Sequence, residues 1–137
     1  MSWKPQSNLS FHLMALKFRL RDRLHSPEKI LDATGIKPGM TILDYGCGPG
    51  SFSIAAAKIV GTDGRVLALD INPLALQYVQ KAAEKEGLNN IRLFSAEQFE
   101  SIPDGSVDMI LLYDVLHCFT KAPEVLARIR RVLKNDG

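Results

Sequence analysis

A strand, a glycine-rich loop and a helix follow one another directly, and this succession constrains the fold more than any other feature of the chain. The apolar run Ile42-Leu43 ends on Asp44 and leads into Gly46-Cys-Gly-Pro-Gly50, with glycine at every second position. A helical pattern, Ser51 to Val60, begins immediately afterwards. This order forms the first half of a βαβ nucleotide-binding unit, in which glycines let a bulky ligand approach the backbone closely.

The spacing of the glycines narrows the choice of ligand. Dinucleotide-binding loops use G-x-G-x-x-G, and a helix N-terminus there faces a pyrophosphate. This loop is G-x-G-x-G instead, and Asp44 precedes it. An acid is unfavourable beside a pyrophosphate, so the loop favours a ligand that carries an ammonium or sulfonium charge. A tight βα turn that binds no ligand is the structural alternative.

The segment Leu43-Asp-Tyr-Gly-Cys-Gly-Pro-Gly50 resembles the first motif of class I S-adenosylmethionine (SAM)-dependent methyltransferases. The lead-in Ile36-Lys-Pro-Gly-Met40 is similar to the turn that commonly precedes that strand. The resemblance implies SAM as the cofactor and a loop that holds it. The cofactor-binding residues that it implies in the loop are Asp44, Gly46, Cys47, Gly48 and Gly50.

Alternating strands and helices predict an α/β fold with a parallel sheet covered on both faces. We expect helices at 8–25, from 27 to near 35, at 51–60, 73–87 and 122–133, and strands that end at residues 44, 70, 94 and 114. The resemblance implies a Rossmann-like sheet of order 3-2-1-4 that lacks strands five to seven of the full fold. Residues 26–137 would form this incomplete SAM-binding domain. We expect either a longer parent enzyme or self-association along the exposed edge of the fourth strand.

Asp70 ends the second strand, where nucleotide-binding folds place an acid that accepts from both ribose hydroxyls. Capping of the helix that starts at Asn72-Pro73 is the structural alternative for this acid. Ile71 would offer an apolar face to an adenine ring. The resemblance places Ala96 and Glu97 near the adenine amino group, although the family usually has Asp where this chain has Glu97.

Two further acids belong to the fourth strand. The resemblance gives Asp108, at its start, a structural role, and Asp114, at its end, lies where ligands bind in open parallel sheets. The stretch Asp114-Val-Leu-His117 is similar to the end of the fourth strand in the small-molecule branch of the family, which includes quinone-biosynthesis methyltransferases. It is not the Asn/Asp-Pro-Pro-aromatic motif of enzymes that methylate adenine or glutamine nitrogen. His117 is either a general base or a pocket-lining residue without a proton-transfer role.

The N-terminal helix, within residues 1–25, carries a leucine stripe that Met14 and Phe18 widen, together with several basic residues. The stripe predicts a helix that docks on the body with a solvated basic face. A lid over the cofactor site and a membrane-surface contact are the alternatives, and the resemblance favours the lid. The leucines of the stripe are Leu9, Leu13, Leu16, Leu20 and Leu24.

Composition excludes several classes of protein. The 137 residues carry a net charge of only +2 without a long basic run, so nothing indicates a nucleic-acid partner. Two cysteines make neither a disulfide framework nor a zinc site, which favours the cytoplasm. Three scattered histidines indicate no metal site. Methyl transfer to a small-molecule or lipid-like acceptor is thus the leading hypothesis, with unassigned catalytic residues. A non-catalytic SAM-binding or partner-binding module and a nicotinamide-dependent oxidoreductase are the alternatives.

Overall fold

The computed structural model describes residues 7–113 and 115–137. Its sheet contains four parallel strands in the order β3-β2-β1-β4, which confirms the predicted topology. The strands are β1 (Thr41–Tyr45), β2 (Arg65–Asp70), β3 (Ile91–Ser95) and β4 (Met109–Leu111). The helices are α1 (Asn8–Leu24), α2 (Pro27–Asp32), α3 (Ser51–Val60), α4 (Pro73–Glu86) and α5 (Ala122–Ile129).

Alternation along the strands divides the core between the two faces of the sheet. Ile42 and Val66 pack on the side of α2 and α3, whereas Leu43 and Leu69 pack on the side of α5. Asp44 is two residues beyond Ile42, so its side chain belongs to the α3 side. The period of the strand therefore aims this acid at the helix that follows the glycine loop.

Capping residues set the bounds of α4. The side chain of Asn72 accepts a hydrogen bond from the backbone N–H of Leu74 at 3.0 Å, and Pro73 occupies the first turn. The helix ends at Gly87, whose φ is +67°. Both ends agree with the sequence prediction.

The fourth strand and the last helix are shorter than predicted. We expected a strand over 107–114, but β4 spans Met109–Leu111, and Val107 forms only an isolated bridge with Leu133. The strand ends at Leu111, and the ring of Tyr113 packs on the ring of Phe52 with centroids 4.2 Å apart. The predicted helix to residue 133 ends at Ile129 and continues as a 3₁₀ turn.

The docking face of α1 is also not the predicted one. All five leucines of the stripe are exposed. Phe11 and Ala15, on the opposite side of the helix, are buried instead. The presence of the helix was predicted correctly, whereas the prediction of which face packs against the body was wrong.

Asp108 has the structural role that the resemblance implied. Its carboxylate accepts the backbone N–H of Thr41 at 2.8 Å and pairs with the Lys134 ammonium at 2.9 Å. The N–H of Thr41 is the main cause that lowers the pKa of Asp108, and the Lys134 ammonium lowers it further. This acid thereby joins the start of β1 to the segment after α5.

Gly50→Ala is expected to destabilise the fold by about 2–4 kcal/mol. Gly50 has a φ of +96°, and an added Cβ would lie 2.7 Å from Cγ2 of Val79 in α4. Gly87→Ala is the matched control, because Gly87 has a φ of +67° with no atom within 4 Å of an added Cβ. Urea unfolding of both variants separates the cost of the steric clash from the cost of the positive φ. An equal loss in the free energy of unfolding for the two variants would contradict the clash at Gly50.

Candidate functional site

A cavity of about 120 Å³ lies at the carboxyl ends of β1 and β2, where parallel sheets bind ligands. Its walls come from the glycine loop, from the ends of both strands and from α1. Six residues that the sequence predicted for cofactor binding line this cavity: Asp44, Gly46, Cys47, Gly48, Asp70 and Ile71.

Asp44 is buried at the end of β1, with 3% of its surface exposed. The hydroxyl of Ser53 in α3 donates a hydrogen bond to its Oδ2 at 2.6 Å. Burial raises the pKa of Asp44 from 3.8 to about 6, although the Ser53 hydroxyl opposes the change, and the nearby Asp70 adds to the increase. The cavity thus contains a carboxylate that a positively charged ligand group would stabilise.

Asp70 holds the glycine loop against the start of α4. Its Oδ2 accepts the backbone N–H of Gly48 at 2.9 Å, and its Oδ1 accepts the N–H of Asn72 at 2.9 Å. Burial raises the pKa of Asp70, while these backbone donors oppose the shift. Each carboxylate oxygen can accept more than one hydrogen bond, so this structural role leaves acceptor capacity for a ligand.

The loop glycines differ in what fills the space beside them. A Cβ on Gly46 would lie 2.4 Å from Cγ2 of Val115, so the fold itself occupies that space. A Cβ on Gly48 would come 3.8 Å from atoms of both Met14 and Phe18 in α1. Gly48 therefore leaves its backbone accessible to the cavity beneath α1.

Cys47 is a buried thiol in the same cavity wall as the two acids. Burial raises its pKa well above the ordinary value, and the charges of Asp44 and Asp70 add to the increase. The thiol is accordingly a neutral, apolar part of the wall at ordinary pH. Cys47 forms no disulfide among the described residues.

Sequence reasoning missed Asn72 as a wall residue. Its side-chain Nδ2 is buried and has no hydrogen-bond partner among the described residues. Asn72 lines the same cavity as Asp70. An unsatisfied buried donor is costly, so a ligand acceptor at this point would be favourable. Only its position directly after Asp70-Ile71 signalled this role in the sequence.

Residues of α1 form another wall of the cavity, as the lid alternative implied, although the sequence did not single out these residues as its lining. Phe11, Met14, Phe18 and Arg21 line the cavity from the face of the helix opposite the leucines. The Arg21 guanidinium lies 4.3 Å from the centre of the Phe18 ring and pairs with Asp22 at 2.9 Å. The assignment of Met14 and Phe18 to the leucine stripe from the sequence was wrong, because both side chains line the cavity while the leucines are exposed.

The guanidinium of Arg21 also reaches two rings on the far wall. It lies 5.6 Å from the centre of the Phe52 ring and 5.2 Å from the centre of the Tyr113 ring. Distances of about 6 Å or less permit attraction between a cation and an aromatic face. Arg21, Phe52 and Tyr113 all line the cavity, so these contacts join the α1 wall to the α3 wall.

The remaining predicted residues lie elsewhere. Gly50 packs against Val79, Ala96 is buried in the core on the α5 side, and Glu97 is exposed. None of these three lines the cavity, and their cofactor contacts stay predictions. Asp114 lies outside the described residues. His117 is exposed, and its Nε2 lies 3.6 Å from Sγ of Cys118.

Fold and cavity together define a Rossmann-like cofactor-binding domain. A family profile described as "Methyltransferase domain" matches residues 36–137. The chain belongs to this methyltransferase family, whose cofactor is SAM. The unpartnered Nδ2 of Asn72 and the acid Asp44 both fit a ligand that has acceptor atoms and a positive charge.

Individual relatives agree with this assignment. The ubiquinone/menaquinone biosynthesis C-methyltransferase UbiE of Teredinibacter turnerae is 31% identical over 93% of this chain and 55% of its own length. The nocamycin O-methyltransferase of Saccharothrix syringae is 33% identical over 80% of this chain and 39% of its own length. A SAM-dependent methyltransferase structure from Aquifex aeolicus superposes with a TM-score of 0.76 and 34% identity, covering 83% of this chain and 61% of that chain. The chain thus spans about half the length of the first of these relatives.

Proposed function

We propose that this chain is the cofactor-binding part of a methyltransferase that transfers a methyl group from SAM to a small, lipid-like acceptor. The observation that carries the proposal is the cavity at the carboxyl ends of β1 and β2, which joins the glycine loop to two buried acids. Family membership supports the same conclusion.

Each part of the cofactor has a complementary group in this proposal. Asp44 would hold the positively charged methionine end, and Asp70 would accept from the ribose hydroxyls. Ile71 would contact the adenine ring, with the Nδ2 of Asn72 as a nearby donor. Glu97 would approach the adenine only at the outer rim, because it is exposed and does not line the cavity, and the adenine contact of the buried Ala96 stays a prediction. The sulfonium supplies a reactive methyl group, so the protein mainly orients the acceptor and excludes water.

We propose further that α1 is a lid over this site. The cavity of about 120 Å³ is smaller than the roughly 300 Å³ or more that small-molecule sites usually occupy. Met14 and Phe18 lie over the glycine loop, each 3.8 Å from the position that a Cβ on Gly48 would occupy. Admission of SAM therefore requires these side chains, or α1 itself, to move away from the loop.

The aromatic lining favours an apolar acceptor. Phe11, Phe18, Phe52 and Tyr113 contribute rings to the cavity wall. Such a surface suits a ring or a hydrocarbon chain better than a charged macromolecule. The relatives named for quinone and nocamycin methylation agree with a small-molecule acceptor.

A non-catalytic SAM-binding or partner-binding module is the second candidate. Among the described residues β4 pairs only with β1, so its other edge is open for pairing with a further strand or with a second copy. The partners that this edge would bind are a proposal as well. Measurement of methyl transfer separates this candidate from the enzyme.

SAM and S-adenosylhomocysteine are expected to raise the melting temperature of the chain, whereas NAD is not. A ligand that binds only the folded state at one hundred times its Kd stabilises that state by about 2.7 kcal/mol. Differential scanning fluorimetry with calorimetric titration provides the measurement, and NAD is the matched nucleotide control. Equal shifts with NAD and SAM would contradict the cofactor assignment. Transfer of a labelled methyl group from SAM to apolar acceptors tests the activity. If a chain extended to the full length of the relatives binds SAM but transfers no methyl group, the second candidate is favoured.

A further inference from the structure

The outer face of α1 is an exposed row of leucines. Their exposed fractions are 72% for Leu9, 55% for Leu13, 54% for Leu16, 55% for Leu20 and 80% for Leu24. At 100° per residue these five side chains fall within an arc of about 80°. Contiguous exposed apolar patches of this kind usually mark an interaction surface.

The body of the protein occupies the opposite face of the same helix. Phe11 and Ala15 are buried there, and Met14 and Phe18 line the cavity. The leucines are therefore not the face with which α1 packs on the body, because other residues of the helix already form that face. They are free for a partner that lies outside the described residues.

The charges that flank this row all have one sign. Around the helix, Lys17 lies on one side of the leucine row and Arg19 and Arg23 lie on the other. All three side chains are exposed. Asp22, the only acid of the helix, pairs with Arg21 toward the body. A leucine row between cations is the pattern of a helix that lies in the interface of an anionic membrane.

A second copy of the chain fits this surface less well. Two α1 helices paired through their leucines would place Lys17 and Arg19 near the same residues of the other copy. These residues flank the leucine seam as the e and g positions of a heptad do, where like charges oppose pairing. No helix among the described residues is long and apolar enough to cross a membrane, so any lipid contact of this part would be peripheral.

We propose that α1 docks on an anionic lipid bilayer, with its leucines inserted at the acyl boundary and its three cations at the headgroups. The docked helix would present its inner face, which covers the cavity, just above the lipid surface. Docking does not depend on the proposed methyl transfer, because it rests only on the outer face of α1.

Vesicle co-sedimentation tests this proposal. Wild-type chain is expected to bind phosphatidylcholine vesicles that contain phosphatidylglycerol roughly 100-fold more tightly than pure phosphatidylcholine vesicles, since each of three cations contributes about fivefold. Joint replacement Leu13→Gln, Leu16→Gln and Leu20→Gln is expected to weaken binding to the anionic vesicles at least about tenfold. Joint replacement Lys17→Gln, Arg19→Gln and Arg23→Gln is expected to remove the preference for the anionic lipid.

Lys81→Gln with Lys85→Gln is the matched control, because both lysines are exposed and belong to α4 rather than to α1. This control is expected to retain the lipid preference, and melting curves verify that every variant folds. Equal binding of wild type to both vesicles, or undiminished binding of the leucine variant, would overturn the proposal. Analytical ultracentrifugation without lipid tests whether a second copy of the chain occupies the leucine surface instead. A wild-type dimer that the leucine variant abolishes would assign the surface to a second copy.

Discussion

Asp44→Asn is expected to raise the free energy of unfolding at pH 7.5 by about 3 kcal/mol while it weakens SAM binding. Burial raises the pKa of Asp44 from 3.8 to about 6. Each pKa unit corresponds to about 1.4 kcal/mol, so the ionised carboxylate destabilises the fold at neutral pH. Asparagine removes this charge and still offers an oxygen to the Ser53 hydroxyl, which donates to Asp44 at 2.6 Å.

The pH dependence of this difference is specific. Below about pH 4 the carboxyl of Asp44 is protonated in both the folded and the unfolded chain, so wild type and variant should have similar stability. Between about pH 4 and 6 the unfolded chain loses this proton first, and wild-type stability falls relative to the variant. Above about pH 6 the difference stays constant. Urea unfolding across this pH range measures the difference in the free energy of unfolding between wild type and variant. A difference that does not change with pH would contradict a raised pKa at Asp44.

Binding of SAM should change in the opposite direction. The variant loses the charge that would face the methionine ammonium, and a charge-assisted hydrogen bond contributes about 1.5–3 kcal/mol. We expect at least about tenfold weaker binding at pH 7.5. Wild-type affinity should also decline below about pH 6, where Asp44 becomes protonated, whereas the affinity of the variant should not. Calorimetric titration at two pH values provides the measurement, with Ser53→Ala as a variant that retains the carboxylate.

Asp70→Ala is expected to weaken SAM binding about 100-fold or more, and considerably more than Glu97→Ala. Asp70 is 5% exposed at the cavity and already accepts the N–H groups of Gly48 and Asn72. Its removal leaves two buried donors unsatisfied, at about 1–3 kcal/mol each, and deletes the proposed ribose acceptor. Glu97 is exposed and outside the cavity wall, so it can make at most one comparable contact.

A second variant separates folding from recognition. Asp70→Asn retains an acceptor oxygen for the loop but removes the charge, and we expect intermediate stability with strongly reduced SAM affinity. Asp63→Ala, in the exposed turn before β2, is the control for a general loss of negative charge. Calorimetry on all four variants gives the order of affinity. A greater loss from Glu97→Ala than from Asp70→Ala would reverse the proposed roles.

The glycine loop and its acids were predictable because local sequence determines them. Strand alternation fixes the side of the sheet to which Asp44 points, and Gly48 has a φ of +54° that other residues rarely adopt. The position of Asp70 follows from the end of β2 beside β1. These relations need only neighbouring elements, so one sequence contains enough information to predict them.

The orientation of α1 was not predictable in the same way. Spacing along the helix shows an apolar stripe, but it does not show whether the body or another partner covers it. Phe11 and Ala15 are the buried residues of this helix, and only the folded body defines the surface that buries them. The early end of β4 has a similar cause, since the contact between Tyr113 and Phe52 joins residues 61 positions apart (113 − 52).

The position of Met14 and Phe18 beside Gly48 has a consequence for measured affinities. A ligand that needs α1 displaced can bind only the fraction of molecules in which the helix has already moved, or must itself drive that movement. The apparent dissociation constant then equals the intrinsic constant divided by that fraction, so an open population of about one in a hundred weakens apparent binding about 100-fold. The length and packing of one helix would thus set the ligand concentration at which this site responds, independently of the groups that contact the ligand.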